Sequence, residues 1–464
     1  MAAQTKTDVG GIVRPAGPLD RSNALAPYGG VLGEREAAHL LRRAGFGGTP
    51  AEIGRVVGTT AAQAVAALLA LPATTSIAPL PEFVAAGHPQ RRAVILELQL
   101  WWLNRMLTAS PLQEKMTLYF HGHFTSRATP RFPWTTYDQN ALFRQYALGN
   151  LRELTRQVSK GAAMLIYLNG AANVVAHPNE NYARELMELF TLGVDNYTEQ
   201  DVRESARAWT GWQVDRRDNL VSFNPALHDG GRKQFLGQTG DFDGDDIVNI
   251  IFEQPQCARF FAAGLLNWFV YNDPEPVLVD SVAALLRKHD FELSPVVGTI
   301  LRSNVFYSAR AYRALIKSPV EFAIGTYKTL GLSELDPSVL AALQQMGQRL
   351  FFPPTVAGWP GGQNWLTSGT MIARQNFLTR LLNSQTLSSS SWLRGLPVAP
   401  STAAKQLSQN LLQSDVSPAS LVEFESYLGG KGSAALASLS VENYDQRVRG
   451  AVYLAMATPA FQLN

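Results

Sequence analysis

Apolar residues recur along most of this chain at the three- and four-residue spacing of an α-helix. The pattern is clearest in the segment 179–193, where Tyr182, Leu186 and Phe190 fall on one side of a helix and charged residues fall on the other. Such a helix packs through its apolar side, while its polar side can meet water, an ion pair or a ligand. The segment is therefore predicted to be a helix with one buried face.

Several helix starts are marked by a Ser or Thr that precedes a Pro. The hydroxyl group of such a residue can cap the first turn, and Pro is well tolerated at the first helical position. At Thr49, Ser110 and Ser318 an acidic or amide residue follows three positions later, which predicts a capping box. Thr198 with Asp201 resembles the same device.

Alternation typical of β-strands is scarce, and the segment 221–223 is the one expected to pair with a neighbour as a short ribbon. The fold is predicted to be mainly α, a multi-helical globular domain with few or no strands. Apolar spacing predicts helices near residues 34–44, 50–58, 60–71, 90–108, 111–121, 139–147, 151–158, 180–192, 199–210, 245–252, 255–270, 277–289, 294–302, 309–315, 319–330, 336–347, 370–383, 402–413, 418–428 and 443–457.

Composition shifts along the chain predict its domain organisation. Residues 1–30 are rich in Gly and Pro and are expected to form a flexible tail, and residues 31–383 form the main helical domain. The Ser- and Pro-rich segment 384–401 is expected to be a loop. Residues 402–464 contain too few large apolar residues for a core of their own, so their helices should pack on the main domain.

Composition also excludes several classes of protein. Of the 464 residues 46% are hydrophobic, and 40 basic against 38 acidic residues give a net charge of +2 without any block of like charge, which argues against nucleic-acid binding. Cys257 is the single cysteine, so neither an intrachain disulfide nor a thiolate zinc cluster can form. No apolar run is long enough to span a membrane, and no secretory signal is visible. On sequence alone this indicates either a cytoplasmic protein or one whose leader is not part of this sequence.

Several phrases together resemble the bacterial domain-of-unknown-function 1800 family. They are HLLRRAGFG at 39–47, EKM at 114–116, HGHF at 121–124, the whole of 179–193, YTEQDV at 197–202, ARAWTGW at 206–212, HDGGRKQFLG at 228–237 and VAGWP at 356–360. The resemblance implies no settled activity. It does imply that such proteins are often exported and that a partner protein is encoded nearby. Where the family usually has Asn between its two histidines, this chain has Gly122.

The polar face of the 180–192 helix is the first candidate site. One interpretation is a solvated helix face, because Glu180 with Arg184 and Arg184 with Glu188 are pairs four residues apart that stabilise a helix by roughly 0.2–0.5 kcal/mol each. The other is a polar catalytic site behind a long entry loop. Its candidate catalytic residues are Glu180, Arg184, Glu185 and Glu188, with Asn179 and Asn181 as candidate substrate-binding residues.

The second candidate is the pair His121 and His123. Two imidazoles separated by glycine can bind one divalent metal ion if a third ligand completes the site, and Glu185, Glu188 or His228 would supply it. The alternative is that His121 caps its helix and Gly122 ends it in the left-handed conformation.

Two further sets of residues complete the candidates. His228 lies on a glycine-containing loop and is a candidate general base, with Asp229 and Lys233 as substrate-binding residues; alternatively Asp229 shapes the loop through an Asx turn. Trp359 and Trp365 flank a turn and are predicted to line a pocket for a substrate.

Absent motifs narrow the function further. The sequence has no G-x-S-x-G elbow, P-loop, H-E-x-x-H or G-x-G-x-x-G, so no nucleotide cofactor is expected. The favoured function is a metal-assisted or acid/base hydrolase or lyase that acts on a small polar substrate, either a glycan or an anion. The alternative is a non-catalytic helical binding or export-partner protein in which the Arg/Glu face is a structural ion-pair network.

Overall fold

The computed structural model of the protein describes residues 23–70, 91–129, 132–215, 220–384, 387, 390–397, 399–429 and 441–464. It is 62% helical, with 22 α-helices and two small two-stranded sheets among these residues, which confirms the prediction of a mainly α fold. No helix in the described ranges is both long enough and apolar enough to cross a bilayer.

The helices of the first half of the chain are mostly short and follow one another closely. They are α1 (Glu34–Arg43), α2 (Pro50–Val56), α3 (Ala61–Leu69), α4 (Arg91–Thr108), α5 (Pro111–His123), α6 (Pro133–Gln145), α7 (Leu151–Lys160), α8 (Ala162–Tyr167), α9 (Glu180–Glu185) and α10 (Glu199–Ala208). Helix α9 continues directly as a π-helix, Leu186–Thr191.

The second half of the chain is helical after two hairpins. Its helices are α11 (Gly244–Glu253), α12 (Pro255–Phe269), α13 (Pro276–Lys288), α14 (Leu293–Leu301), α15 (Pro319–Leu330), α16 (Val339–Gln345), α17 (Ser368–Leu382), α18 (Ser391–Arg394), α19 (Pro400–Leu412), α20 (Pro418–Gly429), α21 (Val441–Ala457) and α22 (Pro459–Gln462). Among the described residues, 3₁₀ turns lie at Gly170–Ala172, Pro225–Leu227 and Gly362–Leu366.

The predicted ribbon exists, and a second hairpin accompanies it. Strand β1 (Trp212–Asp215) pairs antiparallel with β2 (Leu220–Phe223), so that Trp212 lies opposite Phe223. Strands β3 (Lys233–Phe235) and β4 (Gln238–Gly240) form the second pair. The turn between them places both Leu236 and Gly237 at positive φ, as a two-residue hairpin turn requires.

Most predicted helix starts are correct. Thr49, Ser318 and Thr198 each form the predicted capping box. Ser110 precedes its helix as predicted but makes no side-chain cap, so that capping box is wrong. The amide of Gln113, its expected partner, instead donates to the carbonyl of Arg144 at 3.1 Å, a tertiary contact that takes the group away from the cap.

Two other local predictions are wrong. The segment 309–315 makes turns rather than a helix, because Arg313 adopts φ +48°, which a right-handed helix excludes. Gly122 is not a left-handed stop, since helix α5 continues through it to His123.

Both ends of the described chain contact the main body. The backbone N–H of Tyr28 donates to Arg302 at 2.8 Å, and that of Val305 donates to Ala24 at 2.9 Å, whereas residues 1–22 of the predicted tail lie outside the described residues. Helices α19, α20 and α21 pack against one another, and α21 also packs on α17.

The buried side chains form two large hydrophobic cores. One includes Phe120 and Phe190, and the other includes Trp102 and Phe322. The ring of Trp268 packs against both cores. Between them the molecule leaves an open cleft, which is the natural place to look for a ligand site.

Candidate functional site

The cleft between the two cores has a volume of about 500 Å³. It is bounded by the C-terminal half of α5, by one face of α12, by the residues that lead into α15 and by the segment 359–365. Neighbouring residues of α5 belong to different cores, Leu118 to one and Tyr119 to the other, and both line the cleft. The cleft therefore follows the boundary between the two cores.

Aromatic rings form much of its wall. Trp359, Trp365, Trp268 and Phe260 all line it. Trp359 packs against the ring of His121, with ring centroids 5.2 Å apart. Such flat apolar faces with a polar edge suit ligands that combine a ring with hydroxyl or amide groups.

The turn before Trp359 depends on glycine. Gly358 has φ +82°, and a Cβ atom there would lie 2.6 Å from the backbone oxygen of Gly122. A side chain at position 358 would thus be strained and would push this turn off α5. This close approach explains why a glycine precedes Trp359 and holds that ring against the cleft.

A buried ion pair lies at the floor. Glu321 lines the cleft and pairs with Lys115, and its Oε1 also accepts a hydrogen bond from Asn464 at 2.9 Å. Its Oε2 accepts from the backbone N–H of Ser318 at 2.8 Å, which is the capping bond. The same carboxylate therefore caps α15 and pairs with Lys115 of α5. Burial opposes ionisation, but Lys115 holds the pKa of Glu321 below its usual value, and the carboxylate stays charged.

Arg43 adds a second buried charge to the floor. It is 1% exposed, and its guanidinium donates from Nε to the carbonyl of Phe269 at 3.0 Å and from Nη2 to that of Trp268 at 2.9 Å. Burial lowers the pKa of Arg43 to about 9, which leaves it protonated at neutral pH. These bonds tie α1 to the end of α12 and fix one wall of the cleft.

His123 reaches the cleft from the last turn of α5. Its Nε2 lies 2.8 Å from the carbonyl oxygen of Phe190, and because a carbonyl only accepts, Nε2 carries the hydrogen. Burial lowers the pKa of His123 to about 4, so the ring is neutral and Nδ1 keeps a lone pair. The ring stacks on Tyr119 at a centroid distance of 5.7 Å.

His121 accepts a hydrogen bond through Nε2, whereas His123 donates one through the same atom. Its Nε2 accepts a hydrogen bond from the backbone N–H of Phe351 at 3.1 Å, and burial lowers its pKa to about 3. The ring is 4% exposed and is surrounded by Trp102, Phe351 and Trp359. These contacts make it a buried hydrogen-bond acceptor between α5 and the segment that carries Trp359.

Both histidines of the predicted metal site contact the backbone. Each uses Nε2 for a backbone partner. Among the described residues no three or more His, Cys, Asp or Glu side chains come together as a metal would require. The predicted metal centre at His121 and His123 thus has no third ligand among the described residues and stays a prediction.

The charged face of α9 lies outside the cleft. Arg184 binds both carboxylate oxygens of Glu199, at 2.6 and 2.8 Å, and one of Glu180 at 3.3 Å. The side chains of this cluster are 35%, 63% and 42% exposed, respectively, so it is a surface ion-pair network. The Glu199 hydrogen bonds raise the pKa of Arg184 further.

The rest of this face also contacts its own neighbours. Glu188 accepts a hydrogen bond from the hydroxyl of Tyr197 at 2.7 Å. Partial burial raises the pKa of Glu185, and the charge of Glu188 raises it further. Asn179 caps α9 by accepting from the backbone N–H of Asn181 at 3.0 Å, and Asn181 is exposed. None of these side chains lines the cleft.

The loop 228–233 is held by its own hydrogen bonds. Asp229 binds Arg207 with both oxygens, at 2.7 and 3.1 Å, and accepts from Gly231 at 2.9 Å as the predicted Asx turn does. Nδ1 of His228 lies 3.0 Å from the carbonyl of Thr210. Lys233 is 2% exposed and donates to the backbone oxygens of Asp229 and Gly231. This loop too lies away from the cleft.

Three of the predicted site residues, His123, Trp359 and Trp365, line the cleft. His121 packs on Trp359 behind this lining, and the other nine lie outside the cleft. Sequence reasoning missed further lining groups. Arg43 lies inside the 39–47 phrase and Glu321 inside a recognised capping box, but neither position shows from sequence alone that it faces a cleft.

Comparison with known proteins gives a family without an activity. The model of the family described as "Protein of unknown function (DUF1800)" matches residues 39–463, and the chain belongs to that family. No curated protein and no solved structure matches the chain.

Proposed function

We propose that the protein binds a small polar ligand with a ring face in the cleft, and that carbohydrates are the first class to test. The observation that carries the proposal is the combination of Trp359 and Trp365 with the buried charges of Glu321 and Arg43 around one space of about 500 Å³. Ligand pockets commonly have this size, this mixture of aromatic and sparse polar groups, and a place between two packed bodies.

The chemistry of the lining favours a hydroxylated ligand over a purely apolar one. Asn267 and Asn272 are exposed amides at the cleft, and the neutral ring of His123 adds an acceptor through Nδ1. Amides and imidazole exchange hydrogen bonds with hydroxyl groups, while the indole faces cover the apolar side of a sugar ring. The floor contains both a carboxylate, Glu321, and a guanidinium, Arg43, so polar groups of a ligand can bind there whether they are neutral or carry a charge of either sign.

A second candidate is an acid/base hydrolase or lyase that works in this cleft. It is favoured by His123 and Glu321 lining the same space, the first as an acceptor for a proton and the second as a charged carboxylate. Among the described lining residues Glu321 has the one acidic side chain, whereas glycosidases use two. Non-catalytic binding therefore ranks ahead of catalysis.

Ligand-detected NMR tests the first proposal. The full chain is mixed in turn with neutral monosaccharides, disaccharides and uronic acids, and saturation transfer reports which of them bind. Trp359→Ala should weaken a bound sugar about tenfold, the loss expected for one aromatic contact of roughly 1.4 kcal/mol.

The matched control is Trp212→Ala. Trp212 lines a separate cavity of about 250 Å³ near Lys160 and Asp245, so this variant should bind like the wild type. If no sugar binds, or if Trp212→Ala loses binding while Trp359→Ala keeps it, the proposal is wrong.

Prolonged incubation separates binding from catalysis. Each sugar that binds is incubated with the protein and recovered by chromatography. Unchanged sugar supports a binding protein, whereas new reducing ends or unsaturated products support the hydrolase or lyase, respectively. His123→Gln should abolish any such product formation if the imidazole serves as the base.

A further inference from the structure

A second, much smaller cavity lies behind α1 and has a volume of about 20 Å³. Three cationic side chains line it: Arg42, Arg313 and Lys317, which are 7%, 1% and 5% exposed. Buried cations normally have anionic partners, because their desolvation is otherwise costly. The partners of these three side chains therefore decide what the cavity holds.

Arg42 is short of acceptors. One of its terminal nitrogens donates to the side-chain oxygen of Gln413, and the hydroxyl of Tyr312 lies near the guanidinium and raises its pKa. Nε and Nη2 are buried and make no well-formed hydrogen bond to the described residues. These two nitrogens lie on one edge of the planar guanidinium, where a single acceptor can bridge them.

The other two cations, Arg313 and Lys317, differ in how many of their N–H groups already have an acceptor. Arg313 is well satisfied, since it pairs with Asp415 at 2.7 Å and donates to the carbonyl of Leu412 at 2.8 Å. Lys317 donates to the carbonyl of Phe461 at 2.7 Å, and an ammonium has two hydrogens beyond that bond. Both Arg42 and Lys317 can therefore donate to an occupant of the cavity.

The charge around the cavity is not balanced. None of its described lining residues is acidic, and the carboxylate of Asp415 already pairs with Arg313. Burial and, after it, the nearby charge of Arg313 together lower the pKa of Arg42 to about 10. Burial and these same arginines lower the pKa of Lys317. If Lys317 is neutral and Asp415 balances Arg313, the positive charge of Arg42 still has no countercharge at the cavity.

We propose that this cavity binds a single monoatomic anion, which is chloride in ordinary buffers. About 20 Å³ accommodates one atom-sized species, since a water molecule needs roughly 10–15 Å³. Phosphate, sulfate and carboxylates are too large. A halide accepts hydrogen bonds from every side and suits a lining whose three charged groups are all donors. A water molecule could donate to uncharged acceptors such as Gln413, but it would leave the positive charge unbalanced.

The site is independent of the cleft and of any sugar. It connects α1 with the turns at 311–313 and, through Gln413 and Phe461, with the C-terminal helices. An anion here would stabilise the folded chain in proportion to its concentration, because the unfolded chain has no such site.

Two measurements test the proposal. Crystals grown with sodium bromide in place of chloride should show one anomalous peak in the cavity, within hydrogen-bonding distance of Arg42 and Lys317. Thermal unfolding of the full chain should give a higher Tm in sodium chloride than in sodium gluconate of equal ionic strength, and the difference should saturate with concentration.

Variants assign the effect to the site. Arg42→Gln should remove the difference between chloride and gluconate, while the exposed Arg203→Gln should retain it. If Arg42→Gln does not fold, the bromide measurement on the wild type still decides. A water molecule in place of bromide, or equal Tm values in the two salts, would overturn the proposal.

Discussion

The sharpest stability prediction concerns Glu114, which belongs to the EKM phrase and is fully buried. Its Oε1 accepts from Nε of Arg144 at 2.6 Å and from Nε of Arg105 at 3.0 Å. Its Oε2 accepts from Nη2 of Arg144 and from the indole of Trp102, both at 3.0 Å. One carboxylate thus joins α4, α5 and α6 and neutralises the buried guanidinium of Arg144.

Replacing Glu114 by Gln keeps the shape of the side chain but removes its charge. The new amide group would face an arginine donor, and the Arg144 side chain, 6% exposed, would lose its countercharge. Removing one partner of a buried ion pair costs about 3–5 kcal/mol, mostly because the other charge stays buried alone. We expect the free energy of unfolding to fall by about this amount.

The matched control is Glu199→Gln, which removes a carboxylate that also binds an arginine with two oxygens. Because Glu199 is 63% exposed, its loss should cost about 0–1 kcal/mol. Urea unfolding followed by circular dichroism gives both values from the shift of the midpoint. Both carboxylates bind an arginine with two oxygens, so burial is expected to set the difference in their contribution to stability. If Glu114→Gln lowers the free energy of unfolding no more than Glu199→Gln does, this expectation is wrong.

Two further predictions concern the histidine motif. The pKa of His121 is about 3 in the folded chain and about 6.5 when unfolded, so the unfolded state binds more protons between these values and stability falls as pH drops below 6.5. Because His123, with a pKa of about 4, also lowers the stability over the same pH range, the test is a difference between variants. Urea unfolding at pH 7 and pH 5 should show a loss that is about 2 kcal/mol smaller in His121→Asn than in the wild type, whereas the exposed-site control His177→Asn should lose as much as the wild type. The second prediction concerns Gly122, where an added Cβ atom would meet nothing within 4 Å. Because glycine is a poor helix former, Gly122→Asn should keep or slightly raise the Tm, and it adds an amide to the cleft. A clear drop in Tm would contradict this prediction.

How far the sequence predicts this molecule depends on the range of the interactions involved. Helix starts are local, and the capping boxes at Thr49 and Ser318 followed from residues three positions apart. The second hairpin escaped prediction because its turn places Leu236 at φ +44°, a conformation that a branched side chain rarely adopts. There the pairing of the strands outweighs the local preference of the residue.

The site was harder to predict than the fold because its residues are distant in sequence. Glu321 looked like a capping acid, and its partner Lys115 lies 206 positions away. Arg184 was expected to pair within its own helix, whereas its strongest partner, Glu199, comes from the next helix. Trp359 and Trp365 could be singled out because aromatic residues around a glycine- and proline-rich turn are a local signal, and both line the cleft.

The 179–193 segment shapes the cleft instead of lining it. Its last turns form a π-helix, in which the backbone N–H of Leu192 donates to the carbonyl of Met187, five residues back. The hydroxyl of Thr191 donates to the carbonyl of Leu186, also five residues back. A π-helical turn does not alter the spacing of apolar residues enough to be seen in the sequence. It leaves the carbonyl of Phe190 directed at Nε2 of His123, which fixes the tautomer of that ring. The apolar side and the end of this helix, rather than its charged face, therefore connect it to the cleft.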